Sequence, residues 1–103
     1  MPDTRTKAKL ELILERRNLR EVLARLEAQG VRGWTVLAVD QGRGRHGRWH
    51  GSELSGTSEH VLVFAVCEGA VADRVAEALG PDLERLAAVL LRSEVQVHRP
   101  DRF

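Results

Sequence analysis

The order in which hydrophobic periodicities change along this chain most constrains its fold. Residues 9–15 alternate between charged and apolar side chains before an apolar run, which favours a half-buried strand. Residues 19–26 carry apolar side chains at helical spacing, with Asn18 available as the N-cap and Gly30 placed to end the helix. Residues 34–40 alternate again. The first half therefore predicts strand, helix, strand.

The second half repeats this order after a long intervening segment. Residues 61–67 are apolar and rich in β-branched side chains, as in a buried strand. Residues 71–79 have a helical apolar face that ends at Gly80, and 81–86 predict a short extra turn. Apolar residues within 89–97 predict the last strand. The resulting βαββαβ order predicts an α+β, ferredoxin-like fold: a four-stranded antiparallel sheet with two helices on one face.

Composition limits the functional classes. A length of 103 residues indicates one domain, residues 1–103, small enough to gain from homo-oligomerisation. The formal net charge of +1 gives no general attraction to nucleic acid, and the sequence has no apolar run long enough to span a membrane. The single cysteine, Cys67, cannot form an internal disulfide, and the first residues lack a signal-peptide core. We expect a cytoplasmic protein.

The segment between the two halves is the most informative part of the chain for function. Residues 41–59 contain five glycines and no sustained apolar periodicity, and we interpret them as a long mobile loop. At its start, glycine alternates with arginine. Glycine lets backbone N–H groups approach a ligand, while Arg43, Arg45 and Arg48 supply fixed positive charge. Phosphate, carboxylate and bicarbonate are all candidate ligands.

Two short motifs in this region resemble those of the PII signal-transduction superfamily. A Gly-x-Thr-Val strand followed by a Gly-x-Gly-Arg segment is found there at the base of the T-loop. Here these positions are Gly33-Trp34-Thr35-Val36 and Gly42-Arg43-Gly44-Arg45. The resemblance covers the whole chain and implies a homotrimer with a T-loop at about 41–60.

The same resemblance implies adenine-nucleotide binding in clefts between subunits. It points to nucleotide contacts at Thr35, Gly42, Gly44, Arg45 and the neighbouring strand around Val63. Separately, the position of His98 near Arg99 on the last strand suits a further contact to the nucleotide, and it suits an exposed strand-end histidine equally well. Typical PII proteins also carry a Gly-Asp-Gly-Lys phosphate loop before the last strand. This chain has residues 87–92, Ala-Ala-Val-Leu-Leu-Arg, in that region, and it has no tyrosine for uridylylation.

These departures resemble the PII-like proteins of inorganic-carbon handling. One such group regulates sodium-dependent bicarbonate transporters, and the other, which the compact Arg/His loop favours, is associated with carboxysomes. The latter resemblance implies ADP or AMP as ligand together with bicarbonate, and a bicarbonate transporter or a carboxysome-related protein as partner. Paired N–H donors of Arg43, Arg45 and Arg48 suit the anion.

Simpler interpretations stand beside these. Thr35 is also an ordinary strand residue, and the loop arginines also suit a solubilising surface. Within the loop, His46, Trp49 and His50 suit a partner-binding epitope, since tryptophan is favoured at interfaces. A metal site from the two histidines is rejected because their spacing helps only on a helix and Gly47 intervenes. No catalytic constellation is apparent.

Two other functional classes remain as alternatives. The Arg/Gly-rich loop could contact RNA, although strands one and three lack surface aromatic pairs and Phe64 lies in a run that predicts core. A structural or metal-tolerance trimer of the same architecture would bind no nucleotide. Our prediction is a non-enzymatic sensor that binds neither nucleic acid nor metal and does not insert into a membrane.

Overall fold

A computed structural model describes residues 5–44, 47–50 and 59–99, with residues 44 and 47–50 described by their backbone. The predicted element order is confirmed, with one addition in the second quarter of the chain. In order, the elements are β1 (Arg5–Glu15), α1 (Leu19–Ala28), β2 (Thr35–Ala38), β3 (Gln41–Gly44), β4 (Gly47–His50), β5 (His60–Cys67), α2 (Gly69–Leu79) and β6 (Val89–Val97). Short 3₁₀ turns at Arg16–Asn18 and Gly80–Asp82 precede α1 and follow α2.

The main sheet has four strands in the order β2-β5-β1-β6, and every neighbouring pair is antiparallel. The first and fifth strands are therefore central, while β2 and β6 form the two edges. With α1 and α2 packed on one face, this is the predicted ferredoxin-like fold.

Alternation along the central strands divides the sheet into a covered face and an open face. On the covered face, Leu12 pairs with Val63 on one side and Leu90 on the other. Leu12 and Val63 are fully buried, and Val22, Val75 and other helix residues complete the same cluster. Because side chains alternate on a strand, the neighbouring residues point to the open face.

Strand lengths differ from the predicted ones because pairing, not composition, sets them. The first strand begins at Arg5, four residues before the predicted start, since Arg5 pairs with Val97 and Ala8 with Cys67. The charged residues at the start of this strand interrupt the apolar pattern of the sequence, but their backbone still pairs with the neighbouring strand. At the sheet edge, β2 is only Thr35–Ala38, shorter than the predicted 34–40, and it pairs with β5 alone.

The prediction of a continuous loop over 41–59 is wrong for its first part. The strands β3 and β4 form a separate two-stranded antiparallel hairpin in which Gln41 pairs with His50 and Gly44 with Gly47. Such a ribbon needs only backbone pairing, so it leaves no hydrophobic periodicity in the sequence. Residues 45–46 and 51–58 lie outside the described residues.

The ends of α1 show how tertiary contacts replace local capping. Asn18 occupies the predicted N-cap position, but its side chain caps no backbone group of the helix. Its Nδ2 instead donates a hydrogen bond of 2.8 Å to the carbonyl of Leu86, far along the chain. Gly30 ends the helix as predicted, with φ at +101°, a conformation that favours glycine. By contrast, Gly80 ends α2 with a right-handed φ of −48° and continues into the 3₁₀ turn.

The open face carries exposed apolar side chains. Within the described residues, the large hydrophobic side chains that are exposed are Leu37, Val89 and Leu91, at 48%, 55% and 48%. Leu37 and Val89 belong to one cross-strand row, which Leu62 and Ile13 complete between them. A contiguous apolar patch of this kind indicates a surface that another molecule covers. None of the helices described is both long and apolar enough to cross a bilayer.

Candidate functional site

The candidate site is built around the edge strand β2 and the hairpin that follows it. Thr35 is exposed, opposite Phe64 of β5, while the adjacent Val36 faces the core. Two residues earlier, a Cβ placed on Gly33 would meet no atom within 4 Å. The Gly-x-Thr-Val motif therefore borders open space at the edge of the sheet, where a ligand or a neighbouring subunit can approach it.

The hairpin register places two arginines opposite each other in the backbone pairing. Arg43 pairs with Arg48, and Gly42 pairs with Trp49. Arg43 is exposed, while Gly42 is half-buried.

Two predicted nucleotide contacts do not join this region within one subunit. Val63 is fully buried, and its backbone pairs with Val36 on one side and Leu12 on the other. His98 is exposed and directly follows β6, on the edge of the sheet opposite β2. Three strand spacings separate those edges, a distance of about 14 Å. Within one subunit, Thr35 and His98 therefore lie on opposite edges of the sheet, whereas a subunit boundary would be able to bring them to one ligand.

The remaining predicted residues cannot be placed by side chain. Arg45 and His46 lie outside the described residues. For Gly44, Arg48, Trp49 and His50 the structure gives the backbone pairing described above. Their assignments to nucleotide, anion or partner binding therefore stay predictions.

Phe64 is not a core residue, contrary to the sequence-based interpretation. It lies half-buried on the open face, with the Lys9 ammonium 5.2 Å from its ring centroid. Because the ring faces away from the helices, the run 61–67 has one apolar side in the core and another on the open face. Sequence alone could not distinguish these sides, since both are hydrophobic.

The segment between α2 and β6 is held firmly against α1. Arg25 contacts Asp82 at 2.8 Å and also donates to the Ala78 carbonyl. Arg85 forms a two-pronged pair with Glu21, at 2.8 and 3.3 Å. The Arg85 hydrogen bond holds the pKa of the Glu21 carboxyl below its usual value. These ion pairs join residues far apart in sequence, so no local pattern could have predicted them.

This segment also differs chemically from a phosphate-binding loop. Residues 80–88 contain two carboxylates, Asp82 and Glu84, and no lysine. Ala87 has a positive φ of 50°, where glycine would be unstrained. The Arg85 guanidinium is paired with Glu21, so it offers no unpaired cation to a phosphate. Within residues 80–88 a triphosphate would therefore meet one arginine that is already paired and two carboxylates.

A second charged group escaped sequence reasoning altogether. Lys7 has a side chain only 4% exposed, and its ammonium lies 3.1 Å from the Glu68 carboxylate. The Lys7 hydrogen bond lowers the pKa of Glu68. Arg5 is 3.7 Å from the same carboxylate. The only local sequence signal for this ion pair is the alternation of charged side chains that begins at Arg5.

Comparison with known proteins identifies the family. The sequence model of the family described as nitrogen regulatory protein P-II matches residues 7–102. The chain belongs to the P-II family. No curated protein sequence matches it.

Solved structures place the chain more narrowly, in the PII-like branch. CPII from Thiomonas intermedia K12, a nitrogen regulatory PII-like protein bound to ADP, AMP and bicarbonate, is 25% identical with a TM-score of 0.89, over 100% of this chain and 98% of CPII. A second CPII structure, bound to ADP and bicarbonate, gives 25% and 0.88, over 100% and 99%. A putative PII-like signalling protein from Thermus thermophilus shares the fold at 16% identity and a TM-score of 0.80, with 98% of each chain covered.

The comparisons confirm the predicted family and fold. They support a PII-like signalling protein whose structural relatives bind adenine nucleotides and bicarbonate. P-II proteins are regulatory proteins, and neither the family nor the relatives indicate a catalytic function.

Proposed function

We propose that this P-II family member is a non-enzymatic sensor that binds ADP or AMP, together with bicarbonate, in clefts between the subunits of a homotrimer. One observation carries the proposal: the edge strand with Thr35 leads directly into a hairpin that places Arg43 opposite Arg48. The full-length similarity to CPII, which binds ADP, AMP and bicarbonate, supplies the ligand classes.

A trimer accounts for two features of the single subunit. The open face exposes Leu37, Val89 and Leu91, which association through the sheets would bury. The proposed nucleotide contacts Thr35 and His98 lie on opposite edges, so a cleft between two subunits would bring them to one ligand. In such a cleft, Val63 would contribute through its position on the strand beside β2 rather than through its side chain.

The preference for ADP or AMP over ATP follows from the segment 80–88. Its one cation, Arg85, is paired with Glu21, and its carboxylates Asp82 and Glu84 add negative charge near the same turn. A γ-phosphate at that end of the cleft would gain no lysine partner. We propose instead that the anionic ligand group binds at the hairpin, with Arg43, Arg45 and Arg48, beside Gly42 and Gly44.

Signalling would use the segment 41–60. A ligand changes the population of a loop state only by binding that state more tightly than another. Neutralisation of the hairpin arginines by the bound anion would provide such a difference in affinity between loop states. His46, Trp49 and His50 would form the surface read by the partner. We place that partner in inorganic-carbon handling, as a bicarbonate transporter or a carboxysome-related protein, and we place the sensor in the cytoplasm.

Calorimetric titration with ADP, AMP and ATP, each with and without bicarbonate, tests the proposal. We expect ADP or AMP to bind more tightly than ATP, and bicarbonate to tighten that binding, since linkage makes the two affinities rise together. Arg45→Ala should weaken binding about tenfold, the effect of losing one charge-assisted hydrogen bond. Arg20→Ala, an exposed arginine on α1, is the matched control. Absence of nucleotide binding under all conditions would contradict the proposal.

A further inference from the structure

A pocket of about 320 Å³ lies at the end of the sheet away from the hairpin. It opens between the end of β5, the start of α2 and the connection from α1 to β2. Its volume is at the lower end of the range for small-molecule sites. The lining residues are Gly30, Arg32, Cys67, Glu68, Val71 and Arg74.

Two arginines in this pocket have no carboxylate partner among the residues that the structure describes. Arg32 is exposed and forms no ion pair there. Arg74 donates only to the Gln29 carbonyl, at 3.2 and 3.4 Å. Those bonds use Nε and Nη2, so Nη1 keeps its donors for another group. An anion with two oxygens suits such guanidinium groups.

The one acidic side chain of the lining is already neutralised. Glu68 contacts the buried Lys7 at 3.1 Å and Arg5 at 3.7 Å. The lining itself therefore carries two arginines, Arg32 and Arg74, and a carboxylate that already has cationic partners. The local charge favours an anionic ligand, although the net charge of the whole chain is only +1.

The rest of the pocket is apolar and kept open by a glycine. Val71 is half-buried and Cys67 buried, and together they offer a small hydrophobic surface. A Cβ on Gly30 would lie 3.3 Å from Nη2 of Arg74 and 3.7 Å from Val71. Glycine at this position therefore lets Arg74 lie across the connection while the space above Val71 stays clear.

We propose that this pocket binds a small organic anion, with its carboxylate or phosphate head between Arg32 and Arg74 and a short apolar part on Val71 and Cys67. The site is separate from the anion site proposed at the hairpin, because the hairpin begins beyond the other end of β2. It adds a second input to the protein and does not rest on the proposed function.

Amide NMR titration of the full chain with butyrate, inorganic phosphate and neutral butyramide tests the site. We expect saturable shifts at Gly30, Arg32 and residues 67–71 with the anions, and none with butyramide. Butyrate binding without phosphate binding would assign a carboxylate head, and the reverse a phosphate head. Shifts confined to the hairpin, or none at all, would overturn the proposal.

Arg32→Gln and Arg74→Gln should each weaken anion binding about tenfold, since each removes a charged donor. Arg20→Gln, which leaves the pocket intact, should bind as the unchanged protein does. If both pocket variants bound the anions as tightly as the Arg20→Gln control, the site would be refuted. Because ADP and AMP are titrated separately in the same proteins, loss of nucleotide binding and loss of this site are distinguishable.

Discussion

Replacing Val89 with aspartate should break the proposed trimer while leaving the subunit folded. Val89 begins the edge strand β6 and is 55% exposed on the open face, opposite Ile13. Full burial of such a side chain stabilises by about 1.5–3 kcal/mol, so covering the exposed half contributes about 1 kcal/mol per subunit. Three copies give about 3 kcal/mol per trimer, which corresponds to roughly a 100-fold change in the association constant. Desolvation of the new carboxylates adds to this loss.

Sedimentation equilibrium over a dilution series measures the effect. The unchanged protein should have three times the 11.5 kDa mass of one chain, whereas Val89→Asp should dissociate at concentrations where the trimer persists. Gln96→Asp is the matched control, because it adds the same charge to an exposed position of β6 whose side faces away from the open face. If Val89→Asp and Gln96→Asp associate equally well, the open face is not the subunit interface.

Three further substitutions test the fold at matched protein concentration by urea unfolding. Ala87→Gly should stabilise by about 0.5–1 kcal/mol, since it relieves a positive φ of 50°; destabilisation would contradict the strain. Leu12→Ala should cost about 2–5 kcal/mol, because Leu12 is fully buried between Val63 and Leu90; a loss below about 1 kcal/mol would place it outside the core. Glu68→Gln should destabilise at neutral pH by removing the partner of buried Lys7. Because Lys7 lowers the pKa of Glu68, the stabilisation is present above the ordinary carboxyl pKa of about 4.5 and disappears as pH falls through the lowered value. A difference between the two proteins that persisted unchanged under strongly acidic conditions would refute this ion pair.

The site could be predicted from the sequence only as far as local patterns carry it. The placement of Thr35 on a strand, facing opposite to Val36, follows from alternation, and the end of α1 at Gly30 follows from the helix stop. The pairing of Arg43 with Arg48 could not be predicted, because a polar hairpin leaves no hydrophobic period. The separation of Thr35 from His98 depends on strand order, which neither residue's neighbours encode.

By itself, the sequence determined the succession of helices and main-sheet strands, because the apolar spacing changes between periods of 2 and 3.6. It also carried the two motifs that indicate the P-II family. The tertiary structure decided what depends on distant partners: Asn18 bonds to Leu86 instead of capping its helix, and Phe64 faces away from the core. Strand order decided which apolar residues stay exposed. From the sequence alone Leu37 and Val89 resemble core residues, but the helices cover only one face of the sheet and both side chains lie on the other face.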